Sequence, residues 1–195
     1  MKGENSGAYF TFNTSIDKDI IYQIAISIVS IENAKENLRS EKQFADFDFC
    51  KKETQKIWDK NLSKIIIKSN SKDKLTQFYT HLYHSMIHPN IVSDINGEYM
   101  GADYNIKRVE KGRDHYSSFS VWDTYRTQAQ LLAFLFPKQS SDMVQSLIDF
   151  ADQAGGYGRW ILANIETGVM QGDPTPILIS NSYAFGAKDF DIDIL

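Results

Sequence analysis

Proline and glycine divide the second half of the chain into successive stretches of helical periodicity. In residues 75–88 the apolar side chains recur with a one-then-three spacing that gathers them on one side of a helix, which Pro89 ends. A second helix is predicted over residues 121–136, before Pro137. Because each helix has one apolar face, the chain is constrained to pack helix against helix.

Two further helices are predicted. The third starts with Ser140 or Ser141 as its N-cap and ends at Gly155. The fourth starts with Thr175 as its cap and ends near Gly186. Successive antiparallel helices joined by loops suit a helical toroid or a bundle.

The N-terminal half has a different pattern. Residues 22–28 alternate bulky apolar side chains with smaller ones, which predicts a strand, and residues 7–15 are a shorter candidate. Two strands alone are marginal in water, so we expect them to belong to a larger sheet. The charged residues 31–64 favour a helical connector of two segments, residues 65–67 are a candidate strand, and residues 93–105 contain Asn-Gly and suit a hairpin loop. The predicted fold class is α+β, mainly α.

Composition excludes some classes of function. The net charge is −4 with no long basic run, so the electrostatic term that drives nucleic-acid binding is small. No apolar run approaches the roughly 18 residues that cross a bilayer, and the start lacks the apolar core of a signal peptide. The single Cys50 cannot form an intramolecular disulfide, and we expect a small buried or half-buried residue.

His81, His84 and His88 fall on one side of the first predicted helix. Ligands spread over two turns, roughly 10 Å, are too far apart to hold one zinc ion without further ligands. We therefore predict a polar helix face there and no metal site.

Trp122 and Asp123, at the start of the second predicted helix, combine a flat stacking surface with a bidentate acceptor for vicinal hydroxyls. Arg126 adds a fork of donors within one turn. These groups are typical of sugar recognition. The alternative is that Asp123 caps the helix and pairs with Arg126 or another neighbour, and local spacing favours neither interpretation.

The loop between the third and fourth helices, AGGYGRWILANIETGVMQGDPTP, is rich in glycine and holds Glu166 and Asp173. One protonated and one ionised carboxyl group can hydrolyse a glycosidic bond, so Glu166 with Asp123 or Asp173 is a formal acid–base pair. The sequence does not give the separation of these groups.

Several segments together resemble one family. KLTQFYTHLYHSMIHPNIVSDINGEYMGADYN, YSSFSVWDTYRTQAQLL and IETGVMQGDPTPILISNSYAFGAKDFD resemble, in this order, segments of bacterial family 92 glycoside hydrolases, and AISIVSIENAKENL and WDKNLSKI resemble the segment before them. The resemblance implies a calcium-dependent, inverting, exo-acting α-mannosidase of the periplasm or extracellular space, with an N-terminal β-sandwich and a toroid of six helical hairpins. Residues 1–31 would then be the last sandwich strands, 32–70 the helical connector, and 71–195 the first helices of an incomplete toroid.

The resemblance also assigns a site. In the family, the Asp of the WDT(Y/F)R segment contacts mannose, which implies this role for Asp123. Glu166 and Thr167 match the family's E-T-x-x-M-x-G loop near the active centre. With Trp122 and Arg126 they form the predicted substrate-binding set, and the implied partner is a mannose-containing glycan.

This sequence departs from the family pattern at two places. Pro174 and Thr175 stand where relatives commonly have His-Ala, so contacts there are expected to differ. The family's general acid and base lie in EGNAWQY-like and DDxGQMSAW-like segments, and neither pattern occurs in this sequence. No catalytic residue is therefore assigned, and Glu166 becomes a pocket or structural residue.

The chain alone is consequently expected to be inactive and not to bind calcium. We also expect self-association through helix faces that an incomplete toroid leaves exposed. The alternative function is a noncatalytic module that binds glycans or a partner protein.

Overall fold

The computed structural model describes residues 7–16, 18–41 and 46–193. Their structure is mixed but mainly helical, which confirms the predicted class. The helices are α1 Ile31–Ser40, α2 Phe47–Leu62, α3 Lys72–His84, α4 Val121–Thr124, α5 Gln128–Leu135, α6 Pro137–Ala154 and α7 Thr175–Phe185. The strands are β1 Asn90–Ile91, β2 Glu98–Met100, β3 Ile106–Arg108, β4 Tyr116–Ser117, β5 Ile161–Leu162 and β6 Ile165–Glu166, and they pair antiparallel as β1 with β4, β2 with β3 and β5 with β6.

The core lies where α5, α6 and α7 pack against one another. Val144, Leu147 and Ile148 of α6 are almost fully buried, as expected for positions that share one helix face. Leu147 packs in a cluster with residues of β4, β5 and α7, and Val144 and Ile148 pack with α5 and α7. The apolar face predicted for the third helix is therefore confirmed.

The predicted start of that helix is wrong. α6 begins at Pro137, one turn before the proposed serine caps, because proline suits the first helical position, where no N–H partner is needed. The hydroxyl of Ser141 donates to the carbonyl oxygen of Pro137 inside the helix, at 2.8 Å. The predicted end is confirmed, because Gly155 follows α6 in the left-handed conformation with φ 78°.

The second predicted helix, 121–136, is broken into α4 and α5. Thr127 lies between them with φ 62° and ψ −51°, which no α-helix accommodates. The apolar periodicity continues across the break, and this explains why the sequence pattern predicts one helix.

Two further helix ends differ from expectation. α3 ends at His84, so His88 is not on the helix that carries His81 and the three imidazoles do not share one helix face. α7 begins at Thr175 and is followed by Gly186, but Pro174 occupies the N-cap position in place of Thr175.

The strands predicted at 7–15, 22–28 and 65–67 are not formed. A strand needs a partner to accept and donate its backbone hydrogen bonds, and none lies beside these segments in the described parts of the chain. The two helical segments of the connector are confirmed as α1 and α2, while the domain boundaries at 31 and 70 stay a prediction.

Asp94 links the N-terminal segment to the rest of the molecule through side-chain hydrogen bonds. This buried carboxylate accepts hydrogen bonds from Ser27 Oγ at 2.7 Å, Asn33 Nδ2 at 2.8 Å and Asn37 Nδ2 at 2.7 Å. The prediction that residues 93–105 form one hairpin loop is wrong, because strand β2 lies within them. The hairpin of β2 and β3 has the loop 101–105, and the Asn-Gly pair forms a separate turn in which the Gly97 N–H donates to the Asp94 carbonyl.

Among the described residues, no helix has the length and apolar character that a membrane crossing requires.

Candidate functional site

Backbone hydrogen bonds join the two segments that carry the predicted site residues. The N–H of Ile161 donates to the carbonyl oxygen of Phe119 at 2.9 Å, and the two residues form an isolated antiparallel bridge. The N–H of Trp122 donates to the carbonyl oxygen of Arg159 at 3.3 Å. The start of α4 and the loop between α6 and α7, which the sequence predicts as separate parts of one site, therefore lie side by side.

Trp122 and Asp123 are both exposed on α4. The Trp122 side chain retains 39% of its accessible surface, and a methyl group built on Gly172 would lie 3.4 Å from the indole Cζ3 atom. The loop at Gly172 therefore lies beside the Trp122 indole ring. Consecutive residues thus expose a flat apolar ring and a carboxylate to solvent, which is the combination of groups expected of a sugar-binding surface.

The alternative interpretation, in which Asp123 caps the helix and pairs with Arg126 or another neighbour, is confirmed only in part. Ser120 is the N-cap residue of α4, and its hydroxyl donates to the Asp123 carboxylate, so Asp123 pairs with a neighbour without being the cap. No ion pair joins Asp123 to Arg126; the Arg126 Nε donates to the hydroxyl of Tyr125 at 2.7 Å, and its guanidinium lies over that ring. The sugar-binding roles of Asp123, Arg126 and Trp122 stay predictions.

The Glu166 carboxylate accepts hydrogen bonds from backbone amides of its own loop. Its Oε2 accepts from the N–H of Arg159 at 2.7 Å and of Trp160 at 3.2 Å, and its Oε1 accepts from the N–H of Gly168 at 3.1 Å. Thr167 behaves similarly, because its hydroxyl and its N–H both donate to the Trp160 carbonyl oxygen at 3.0 Å. Both side chains are therefore engaged by the backbone around them.

Gly158, which the sequence does not single out, and Thr175, which it predicts only as a helix cap and a departure from the family pattern, also hold the loop. The buried Thr175 hydroxyl donates to the Gly158 carbonyl oxygen at 2.6 Å, which ties the loop to α7. A Cβ on Gly158 would lie 2.9 Å from Glu166 Oε2 and 2.5 Å from Ile161 Cγ1, so only glycine fits. The glycine-rich composition of the loop is the one sequence signal of this close approach.

Ser120, Thr124 and Trp160 also line a cleft of about 290 Å³ between the helices. The rest of the lining exposes mainly apolar surface and comes from α3, α5, α6, α7, β5 and the segments 88–89 and 118–119. The buried hydroxyl of Ser140, one of the lining residues, makes no hydrogen bond. Asp123 is not among the residues that line this cleft.

The loop also contains an exposed carboxylate, Asp173. Burial of Tyr157, and secondarily the negative charge of Asp173, raise the pKa of the Tyr157 hydroxyl. Asp173 itself makes no hydrogen bond that would hold it in a fixed orientation.

Residues 33–195 match the model of the glycosyl hydrolase family 92 catalytic domain. The chain is similar to the family GH92 α-mannosidase BT3965 of Bacteroides thetaiotaomicron, with 28% identity and a TM-score of 0.80, over 86% of this chain and 23% of that chain. BT3965 has also been solved in complex with mannoimidazole. The inverting GH92 mannosidase BT2199 of the same organism has the same fold at 23% identity, with a TM-score of 0.78 over 86% of this chain and 23% of that chain. The chain thus spans about a quarter of the length of these enzymes, and no curated protein matches it.

Proposed function

The chain belongs to glycosyl hydrolase family 92, and we propose that it forms one wall of the sugar pocket of an α-mannosidase. In this proposal the Asp123 carboxylate accepts hydrogen bonds from mannose hydroxyls and the Trp122 indole packs against the apolar face of the sugar ring. The observation that carries it is the exposed carboxylate beside the exposed indole, in a chain of this family. The similarity to a mannosidase that binds mannoimidazole supports mannose as the sugar.

The enzyme of which this chain forms a part would hydrolyse terminal α-mannosides of glycans with inversion. An inverting hydrolase needs a carboxylic acid to protonate the leaving oxygen and a carboxylate to activate water, about 6.5–9.5 Å apart. Glu166 is unsuited to either role because three backbone amides already hold its carboxylate. We therefore propose that both catalytic groups come from other parts of the enzyme and that this chain alone does not turn over substrate.

Calcium dependence is part of the same proposal. In the parts of the chain that the structure describes, no three histidine, cysteine, aspartate or glutamate residues are grouped so that they could hold a metal ion. Any calcium ligands would then lie mainly elsewhere in the enzyme, and Asp123 would act as a hydrogen-bond acceptor. A periplasmic or extracellular location, implied by the family resemblance, belongs to the proposal as well.

Saturation-transfer difference NMR tests the binding role directly, because it detects weak complexes. We expect the chain to show transfer to methyl α-mannoside and less transfer to methyl α-glucoside, in which the hydroxyl on C2 is inverted. Equal transfer to both sugars, or none to the mannoside, would contradict the proposal.

An assay with an aryl α-mannoside and calcium tests the proposed inactivity. Release of the aryl alcohol by the purified chain, abolished by a chelator, would show that the catalytic groups are present in it. We expect no release above the uncatalysed rate.

A further inference from the structure

Glu166 closes the base of the β5–β6 hairpin. The amides that its carboxylate accepts from belong to Arg159 and Trp160, just before β5, and to Gly168, just after β6. An ionised carboxylate offers about four lone-pair positions, so backbone donors fill most of its capacity. One side chain thus binds both ends of the loop.

This closure extends to α4. Arg159, whose N–H is held by Glu166, accepts the Trp122 N–H on its carbonyl oxygen at 3.3 Å. The guanidinium Nη1 of Arg159 donates to the Met170 carbonyl oxygen at 2.9 Å, and the chain then passes Gly172, which lies against the Trp122 ring. The position of the indole beside Asp123 therefore depends on how the loop is held.

The carboxylate also occupies a restricted space. The ideal Cβ position on Gly158 is only 2.9 Å from Glu166 Oε2, so a side chain at residue 158 would not fit beside the carboxylate as it stands. A group that must also turn outward to contact a ligand would not be held in this way.

We propose that Glu166 is a positioning residue, which fixes the loop of residues 158–172 against Trp122 and does not itself contact the sugar. The inference rests on the proposed function only in taking the surface at Trp122 and Asp123 as the sugar site. The closure of the loop is independent of any ligand and can be measured without one.

Amide hydrogen exchange followed by NMR tests the proposal in the whole chain. In Glu166→Ala we expect the Arg159, Trp160 and Gly168 amides to exchange at least about tenfold faster, a factor that corresponds to about 1.4 kcal/mol. Glu166→Gln keeps one acceptor oxygen, so we expect protection to persist at one end of the loop and to be lost at the other. Asp173→Asn removes a carboxylate from the same loop that accepts no backbone hydrogen bond, and it is expected to change none of the three rates.

Unchanged exchange in Glu166→Ala would overturn the proposal. If that variant does not fold, equal and unchanged protection of all three amides in Glu166→Gln would overturn it. Loss of mannoside binding in Glu166→Gln with loop protection intact would also overturn it and would make Glu166 a sugar contact. The expected exchange pattern in a chain that binds no mannoside would support the positioning role and contradict the proposed function.

Discussion

The N–H of Ile161 donates to the carbonyl oxygen of Phe119 at 2.9 Å, and this bond is one of two backbone hydrogen bonds that join the start of α4 to the loop between α6 and α7. Both residues are buried in one core cluster, so the contact is part of the packed interior. Phe119 directly precedes Ser120, the N-cap residue of α4. Ile161 is the first residue of β5, in the hairpin that Glu166 closes. The core therefore holds the candidate sugar surface in place.

The buried ion pair of Asp142 is predicted to be a major source of stability. Its side chain is 2% exposed and accepts from Arg113 Nη1 at 3.1 Å and Lys138 Nζ at 2.9 Å. Asp142→Ala leaves Arg113 without its buried partner, and we expect the free energy of unfolding to fall by about 3–5 kcal/mol in urea titrations. Glu110→Ala is the matched control, because Glu110 contacts the same Arg113 but is 85% exposed, and a loss of at most about 1 kcal/mol is expected. Equal losses would contradict the prediction.

Relief of backbone strain at Thr127 is predicted to stabilise the chain. A β-branched residue at φ 62° costs about 1–3 kcal/mol, and glycine accepts this conformation at an entropic cost of about 0.5–1 kcal/mol. Thr127→Gly should raise the free energy of unfolding by about 1 kcal/mol in thermal denaturation. Thr124→Gly, in the helical backbone of α4, should lower it by a similar amount, and a decrease in both variants would refute the strain argument.

The helix faces, the break at Thr127 and the N-terminal segments show how far the sequence predicts the fold. Apolar periodicity predicts the buried face of α6, because burial follows the helical repeat along that helix. The break at Thr127 and the N-terminal strands are not predictable in this way. The first is a backbone conformation imposed by tertiary packing, and the second depends on partner strands that a local pattern does not contain.

Asp103 is predicted to add stability that acid removes. Hydrogen bonds from Asn105 and then from the Lys107 ammonium lower the pKa of Asp103 to about 2. A carboxyl whose pKa is lower in the folded than in the unfolded state stabilises the fold above its unfolded value of about 3.9, and this contribution disappears as the pH falls through about 2. We expect Asp103→Asn to melt at a lower temperature than the wild type at pH 7, and we expect this difference to shrink as the pH falls from about 4 to about 2. A difference that does not change with pH would contradict this assignment.

Exposed aromatic side chains on α5 and α7 are predicted to cause self-association. Phe134 is 70% exposed and Phe185 is 50% exposed. Light scattering after gel filtration should show a mass that rises with concentration, and the double change Phe134→Gln and Phe185→Gln should reduce the rise. Ile66→Gln, which alters a side chain of similar exposure in the 65–67 loop, should leave it unchanged. A wild-type chain that stays monomeric at all concentrations would exclude self-association.

The sequence predicts where the candidate site lies, but it does not predict what each of its residues does. Trp122 and Asp123 are consecutive residues of the short helix α4, and both are exposed. The interactions of Glu166 depend on amides that lie six and seven residues before it, which the hairpin folds back onto the carboxylate. A motif marks such a residue as important without showing whether it faces the ligand or the loop.

The indole N–H signals of the chain's three tryptophans give the most direct test of the central claim. Trp122 lies in the proposed sugar surface, whereas Trp58 packs on Tyr83 in another part of the molecule, with ring centroids 4.5 Å apart, and serves as an internal control. We predict that methyl α-mannoside shifts the Trp122 signal in a two-dimensional ¹H–¹⁵N spectrum, leaves the Trp58 signal in place, and has no effect in Asp123→Asn. A Trp122 signal that does not move in the wild type, or that moves equally in Asp123→Asn, would contradict the assignment of this surface to mannose.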